Sequence, residues 1–300
     1  MSLWAITAYF NPVKYESRRL AYKAFRRNLR VPLVAVELSF DGRFDLQKDD
    51  ADILIQISGS AVLWQTQRLL NIALKHVPSN VNKIAWMDCD ILFGDSDWFA
   101  RAEDALENYS YIQPFSDAIM LRRGEQIKDQ NSNYDKRIAV TKLCQNGDLN
   151  ILAQRRGHNV PFAMLAWAAR RDCLEQHKFY DAAIVGGADM LFFSALNNKP
   201  DFAIWRFNLN SVFAEHYARW ATHIPKPSLG NFGCIDGEIW HMWHGELVNR
   251  HRTSRWKLVK DFNPFLDIKL SDNEVWEFTE EGKRLEAGIQ SFFISRQEDG

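Results

Sequence analysis

Apolar and polar positions along the first third of the chain switch repeatedly between two periods. Residues 3–9 read as a strand, 15–29 as a helix and 33–38 as a second strand. Residues 52–57 form a third candidate strand, and Ser60 is placed to cap a helix running to about His76. Residues 83–87 follow as a buried strand. A helix over 98–107 comes after the Gly94-Asp95-Ser96-Asp97 turn, and 111–115 is another strand. Strands separated by helices of this length predict an α/β fold with a doubly wound, mostly parallel sheet.

The pattern weakens from residue 116 to 159, where the chain is polar and mixed in charge. A long irregular stretch inside a compact domain is often a binding loop, so 116–160 is expected to be an acceptor or lid insertion. Regularity returns over 162–175 and 189–196, and 279–293 has the pattern of an amphipathic closing helix. With no Pro/Gly/Ser linker and no internal repeat, one domain is expected over 1–270. Residues 271–300 then form a helical tail packed on it.

Composition narrows the class without naming a function. The 300 residues are 46% hydrophobic and 25% charged, which excludes a disordered or fibrous chain. Lys plus Arg number 37 against 38 for Asp plus Glu, so no global charge excess points to nucleic acid. Eleven Trp and twenty Phe raise the expectation of an aromatic-lined site. Cys89, Cys144, Cys173 and Cys234 show no CxxC pair and read as reduced thiols. The first ten residues lack the regions of a signal peptide, and no run of 18 apolar residues occurs. A cytoplasmic protein without an integral membrane segment is expected. Seven basic residues fall between Lys14 and Arg30. A solvated helix face is the favoured reading of them, and an anion-binding patch is the alternative.

Three segments carry candidate chemistry. In Lys83-Ile84-Ala85-Trp86-Met87-Asp88-Cys89-Asp90, a buried strand ends in two aspartates. Strand alternation would place positions i and i+2 on one side, at the sheet edge where ligands of doubly wound folds bind. Two hard oxygen donors suit Mg²⁺ or Mn²⁺ bridging to a diphosphate. The alternative is turn capping, which fits one carboxylate better than two among apolar neighbours. In Gly186-Gly187-Ala188-Asp189, the glycines permit a sharp turn. Asp189 is either an N-cap, favoured on this segment alone, or a general base. In Trp240-His241-Met242-Trp243-His244-Gly245, an imidazole beside the two aspartates would tilt the choice toward Mn²⁺. Arg250 and Arg255 match phosphate geometry.

Taken in order over roughly residues 3–267, Asp88-Cys89-Asp90, Gly186-Gly187-Ala188-Asp189 and Trp243-His244-Gly245 resemble inverting, family-2-like glycosyltransferases of the GT-A fold. The segment from Leu63 to Asn71 resembles the helix that precedes their metal strand. The resemblance implies a metal-dependent transfer from a nucleotide-diphosphate sugar, a UDP-sugar first, to an acceptor hydroxyl. It implies that Asp90 and His244 hold the metal, with Asp88 on the metal or the ribose. Thr7 and Glu37 would frame the nucleoside, and Gln65 and Arg68 would face the nucleotide. Arg250 would meet the diphosphate, Asp189 would be the base, and Trp167 a platform for a sugar. Ala188 stands where relatives often carry a second acid, and Glu37 is followed by Leu38-Ser39-Phe40 instead of an acidic turn. The acceptor is open among a glycan, a protein and a modified nucleic acid. The competing expectations are a sugar-phosphate nucleotidyltransferase and a non-catalytic sugar-binding or scaffold protein.

Overall fold

The computed structural model describes residues 2–125, 127, 134–145, 162–225 and 232–300. The chain opens with β1 (Leu3–Phe10), α1 (Glu16–Asn28), β2 (Leu33–Ser39), β3 (Ile53–Ser58) and α2 (Thr66–His76). It continues through β4 (Lys83–Met87), β5 (Ile91–Phe93), α3 (Trp98–Asn108), β6 (Tyr111–Gln113), β7 (Asp117–Met120) and β8 (Asp135–Ile138). Then come α4 (Val140–Gln145), β9 (Ala166–Arg170), α5 (Arg171–His177), α6 (Ala188–Leu196), α7 (Pro200–Phe207) and α8 (Ser211–Ala221). The last elements are β10 (Phe232–Cys234), β11 (Glu238–His241), β12 (Ile268–Leu270), β13 (Trp276–Phe278) and α9 (Glu286–Ser295).

Seven strands form the main sheet in the order β10-β6-β9-β4-β1-β2-β3. All its pairings are parallel except the two made by β9. The α/β, mostly parallel reading therefore holds. Alternate residues of β1 enter different cores, Ile6, Ala8 and Phe10 on one face and Leu3, Ala5 and Tyr9 on the other. A strand covered on both faces has no polar side to show, which is why it reads as one apolar run. A second sheet, β5-β11-β7-β8, abuts the first where β4 gives way to β5. One of the links between the two sheets is Asp88-Cys89-Asp90.

Several expectations need correcting. Helix α2 begins at Thr66, with Gln65 rather than Ser60 in the cap position. Tertiary bonds hold the chain before it out of the helix: Trp64 N–H donates to Ile184 O, and Trp276 N–H donates to Gln65 Oε1 at 2.7 Å. The regular stretch at 162–175 divides into strand β9 and helix α5, because β9 is captured between β4 and β6. In the closing segment, helix α9 starts only at Glu286, after the β12–β13 hairpin and a 3₁₀ turn. Of the expected 116–160 insertion, β7, β8 and α4 are regular structure. Residues 126, 128–133 and 146–160 lie outside the described residues.

The basic face of α1 resolves mostly into ion pairs. Lys14 meets Asp41, Lys23 meets Asp50 and Arg26 meets Asp52, while Arg19 pairs with Glu16 and Arg18 with Glu298. Its other face buries Ala21, Tyr22 and Phe25. Burial of the two aromatics is worth about 1.5–3 kcal/mol each and sets the helix on the sheet. No helix among the described residues is long and apolar enough to cross a membrane.

Candidate active site

The carboxyl ends of β1 and β4 open onto a cavity of about 230 Å³. Its lining brings together Asp88, Asp90, Asp189, His241, His244 and Arg250. The strand β4 stops at Met87, and the acid pair occupies the turn that follows rather than an extension of the strand. Thr7 explains part of this placement: its buried hydroxyl donates to Met87 O at 2.8 Å and ties the end of β4 to β1. Asp88 N–H donates to Leu165 O, which anchors the other side of the turn.

Asp90 lies among imidazoles. His244 Nε2 is 3.1 Å and His241 Nε2 3.7 Å from Asp90 Oδ2, and the two Nε2 atoms are 3.2 Å apart. Strand pairing makes this cluster: His241 sits opposite Ile91 in the β5–β11 ladder, and Met242 N–H donates to Asp90 O. The three side chains each offer one ligand atom, all within 4.8 Å of one another. Asp90 Oδ1 is buried without a partner among the described residues. Burial works against the Asp90 charge, but the two imidazoles and Arg250 outweigh it and hold the carboxyl below its ordinary range. Burial, against the pull of Asp90, pushes the His241 imidazole down, toward the form that donates a lone pair to a metal. A buried set of one carboxylate and two imidazoles, with an oxygen left over, fits a divalent transition ion better than Mg²⁺.

Asp88 stands apart from this cluster. Burial first, then the neighbouring Asp90 and Asp189 charges, push its carboxyl well above the usual carboxylate range. It faces the same cavity, where a cation or a ribose hydroxyl would relieve that cost.

Asp189 does not cap α6. Gly187 takes the cap position in the left-handed conformation, at φ 93°, and Asp189 falls in the first helical turn. Gly186, at φ 85°, precedes it. A Cβ on Gly187 would come within 2.8 Å of the Trp256 ring. Strain and collision act together at this residue, so Gly187→Ala is expected to cost about 1–3 kcal/mol and shift Asp189. Equilibrium urea unfolding measures the first effect; a midpoint unchanged from the parent protein would contradict it. Burial raises the Asp189 carboxyl to about 6, so it can exchange a proton near neutrality.

Arginines surround these acids. Arg18 and Arg296 share the buried Glu298, and Arg137 pairs with Asp135. Arg206, Arg250, Arg252 and Arg255 line the cavity and form no ion pair among the described residues. Arg250 is 7% exposed, and the Nε atoms of Arg250 and Arg255 are buried without partners among the described residues. Burial lowers both guanidinium groups to about 10. Unpaired buried cations are costly unless an anion arrives.

The remaining sequence candidates lie elsewhere. Glu37 accepts from Gln56 Nε2 at 2.9 Å and from the Asp45 and Leu46 backbone, pinning the chain after β2. Gln65 is 1% exposed and engaged with the Trp276 backbone. Arg68 pairs with Asp181 at 3.1 Å, and Asn71 donates to the same carboxylate. Those bonds dock the segment leading to Asp189 onto α2. Trp167 is 1% exposed, stacked on Trp86 at 6.2 Å, with its Nε1–H donated to Ala163 O. Strand alternation on β9 turns it into the core, so it is no platform for a sugar. Trp64 takes the cavity position instead, stacked on Phe293 with the Arg255 and Arg296 guanidiniums over its ring.

Sequence reasoning assigned no role to His241, Trp64 or Glu298. The Glu298 carboxylate, 1% exposed, lies behind the imidazole at 3.6 Å from His244 Nδ1. The His-x-x-His spacing was a signal for His241, whereas nothing local marks Glu298.

The sequence matches no family model and no curated protein. Solved structures of similar course exist at low identity. Staphylococcus aureus TarS residues 1–349, bound to UDP-GlcNAc, aligns at TM-score 0.46 and 10% identity over 98% of this chain and 73% of its own. Glucosyl-3-phosphoglycerate synthase from Mycobacterium tuberculosis, with Mn²⁺, UDP and phosphoglyceric acid, aligns at 0.41 and 11% identity, covering 93% and 86%. The Pyrobaculum calidifontis mannosyltransferase PcManGT, with GDP-Man and Mn²⁺, aligns at 0.41 and 14% identity, covering 98% and 72%. This chain is thus similar in course to several solved nucleotide-sugar transferases.

Proposed function

We propose that the protein is a metal-dependent glycosyltransferase that moves a sugar from a nucleotide diphosphate to an acceptor hydroxyl with inversion. The observation that carries this reading is one cavity holding three elements at the carboxyl ends of parallel strands. They are the Asp90–His241–His244 cluster, a carboxyl poised near neutrality at Asp189, and guanidiniums without ion-pair partners among the described residues.

Each group has a task in that chemistry. Asp90, His241 and His244 would hold the ion, which when bound supplies Lewis-acid neutralisation of charge on the diphosphate. Arg250, electrostatically tied to Asp90, meets the phosphate oxygens from the protein side. Asp189 accepts the proton of the acceptor hydroxyl as that oxygen bonds to the anomeric carbon. The bond from that carbon to the phosphate oxygen breaks, and the nucleoside diphosphate leaves with the electron pair. The turn at Gly186-Gly187 fixes where the base stands, and Trp64 offers an apolar face beside it. The chain between β1 and α1, Asn11-Pro12-Val13-Lys14-Tyr15, has no glycine-rich cradle of the kind a nucleotidyl transfer needs around its phosphates.

Titrating UDP and GDP into the protein with and without Mn²⁺ tests the reading. One of the two is expected to bind at least tenfold more tightly with Mn²⁺ present. Equal affinity with and without the ion, for both nucleotides, would contradict it.

A further inference from the structure

The cavity contains more positive charge than nucleotide-sugar chemistry requires. A nucleoside diphosphate ester and a divalent ion cancel one another's charge. Among the described residues, the carboxylates that line the cavity or pair with its arginines are five, at Asp88, Asp90, Asp135, Asp189 and Glu298. Against them stand seven lining arginines, of which Arg206, Arg250, Arg252 and Arg255 have no ion-pair partner among the described residues. Two positive charges are left over.

Their placement is uneven. Arg250 belongs to the metal end, where its strongest attraction is to Asp90. Arg255 belongs to the other end. A Cβ on Gly186 would lie 3.3 Å from its Nη1, so the guanidinium rests against the turn that carries Asp189. The carboxylate acting on it is Asp189, not Asp90. Stacking of Phe207 on Trp256, with centroids 4.1 Å apart, docks α7 against the chain segment bearing Arg255. The residues just before those two rings, Arg206 and Arg255, both reach the cavity lining. A general base must touch the acceptor hydroxyl, so cations gathered at the base face the acceptor.

We propose that the acceptor is a phosphomonoester, bound through its phosphate by Arg255 with Arg252 and Arg206 at the cavity mouth; this rests on the glycosyl-transfer reading of the same site. Several guanidinium forks matched to one dianion are the arrangement phosphate selects. A compact dianion also fits better than a polyanion. Five of the seven basic residues over 14–30 are held by carboxylates or, for Arg18, turned into the cavity. The uncompensated charge is therefore gathered in one cavity and at its mouth rather than spread along a track.

Calorimetric titration of glycerol 3-phosphate, glycerol and a short single-stranded oligodeoxynucleotide tests this, with and without saturating Mn²⁺ and the nucleotide that binds. Glycerol 3-phosphate is expected to bind in the presence of the nucleotide, and glycerol not to bind. Arg255→Gln should weaken glycerol 3-phosphate at least tenfold while changing nucleotide affinity less than twofold, and Arg255→Lys should recover only part of the loss. Arg206→Gln, on an exposed helix position, should weaken it severalfold without disturbing the fold. Competition between glycerol 3-phosphate and the nucleotide would assign these arginines to the donor and overturn the proposal. So would absent binding, or binding of the oligonucleotide alone. Should neither nucleotide bind, the transfer reading fails, and the Arg255 dependence of glycerol 3-phosphate binding still decides the phosphate site.

Discussion

Replacing Asp189 by asparagine is expected to lower sugar transfer by about 10²–10⁴-fold, the usual contribution of a positioned general base. The substitution keeps the size and much of the hydrogen bonding of the side chain. It also removes a charge whose burial is costly, so the fold should be no less stable. Nucleotide affinity should stay within about threefold of the parent, because Asp189 is tied to Arg255 and the acceptor side rather than to the metal cluster. The loss therefore appears in kcat and in kcat/KM for the acceptor, the signature of an interaction made in the transition state. The pH profile provides a second readout. Burial places the Asp189 carboxyl at about 6, and only its ionised form can accept a proton. The parent kcat/KM should thus rise with pH through about 6 and level off above it, and the variant should lose that limb. A variant as active as the parent, with the same acid limb, would remove Asp189 from the role.

Asp90→Ala is the second large effect. One carboxylate and two imidazoles converge on a point inside the protein, and Asp90 is the only oxygen donor of the three. Substitutions that merely misorient a metal ligand typically cost about 10–100-fold in affinity. Loss of a ligand outright should exceed that, and turnover should fall with metal occupancy. His241→Ala should act in the same direction, whereas a site built from Asp88, Asp90 and His244 would leave His241 dispensable. The free-Mn²⁺ resonance signal, followed during titration of each variant, reads affinity independently of catalysis. Unchanged Mn²⁺ affinity in both variants would show that the cluster is no metal site.

How much of this was legible in sequence depends on where each constraint lies. The acid pair was visible because it interrupts an apolar run, and the run is apolar because β4 is covered on both faces. Asp189 was visible because two glycines mark a turn before a helix, although its position inside the helix rather than at the cap required the φ angles of Gly186 and Gly187. His241 becomes a partner of Asp90 only through the β5–β11 ladder, a long-range pairing with no local trace. Trp64 faces the cavity and Trp167 the core for a related reason. Both stand in apolar stretches, and the choice between core and cavity was made by strand alternation on β9 and by the extended approach to α2. The resemblance makes Arg68 and Glu37 ligand contacts, yet each is satisfied by a neighbour that holds the chain in place.

Nucleotide release from a panel of nucleotide-diphosphate sugars, in the presence of Mn²⁺, tests the central claim most directly. Slow hydrolysis of the matching donor requires the metal cluster and the donor site but no acceptor. The account predicts release from at least one donor, dependent on Mn²⁺ and abolished by Asp90→Ala. No release from any donor, together with nucleotide affinity unchanged by Asp90→Ala, would contradict it.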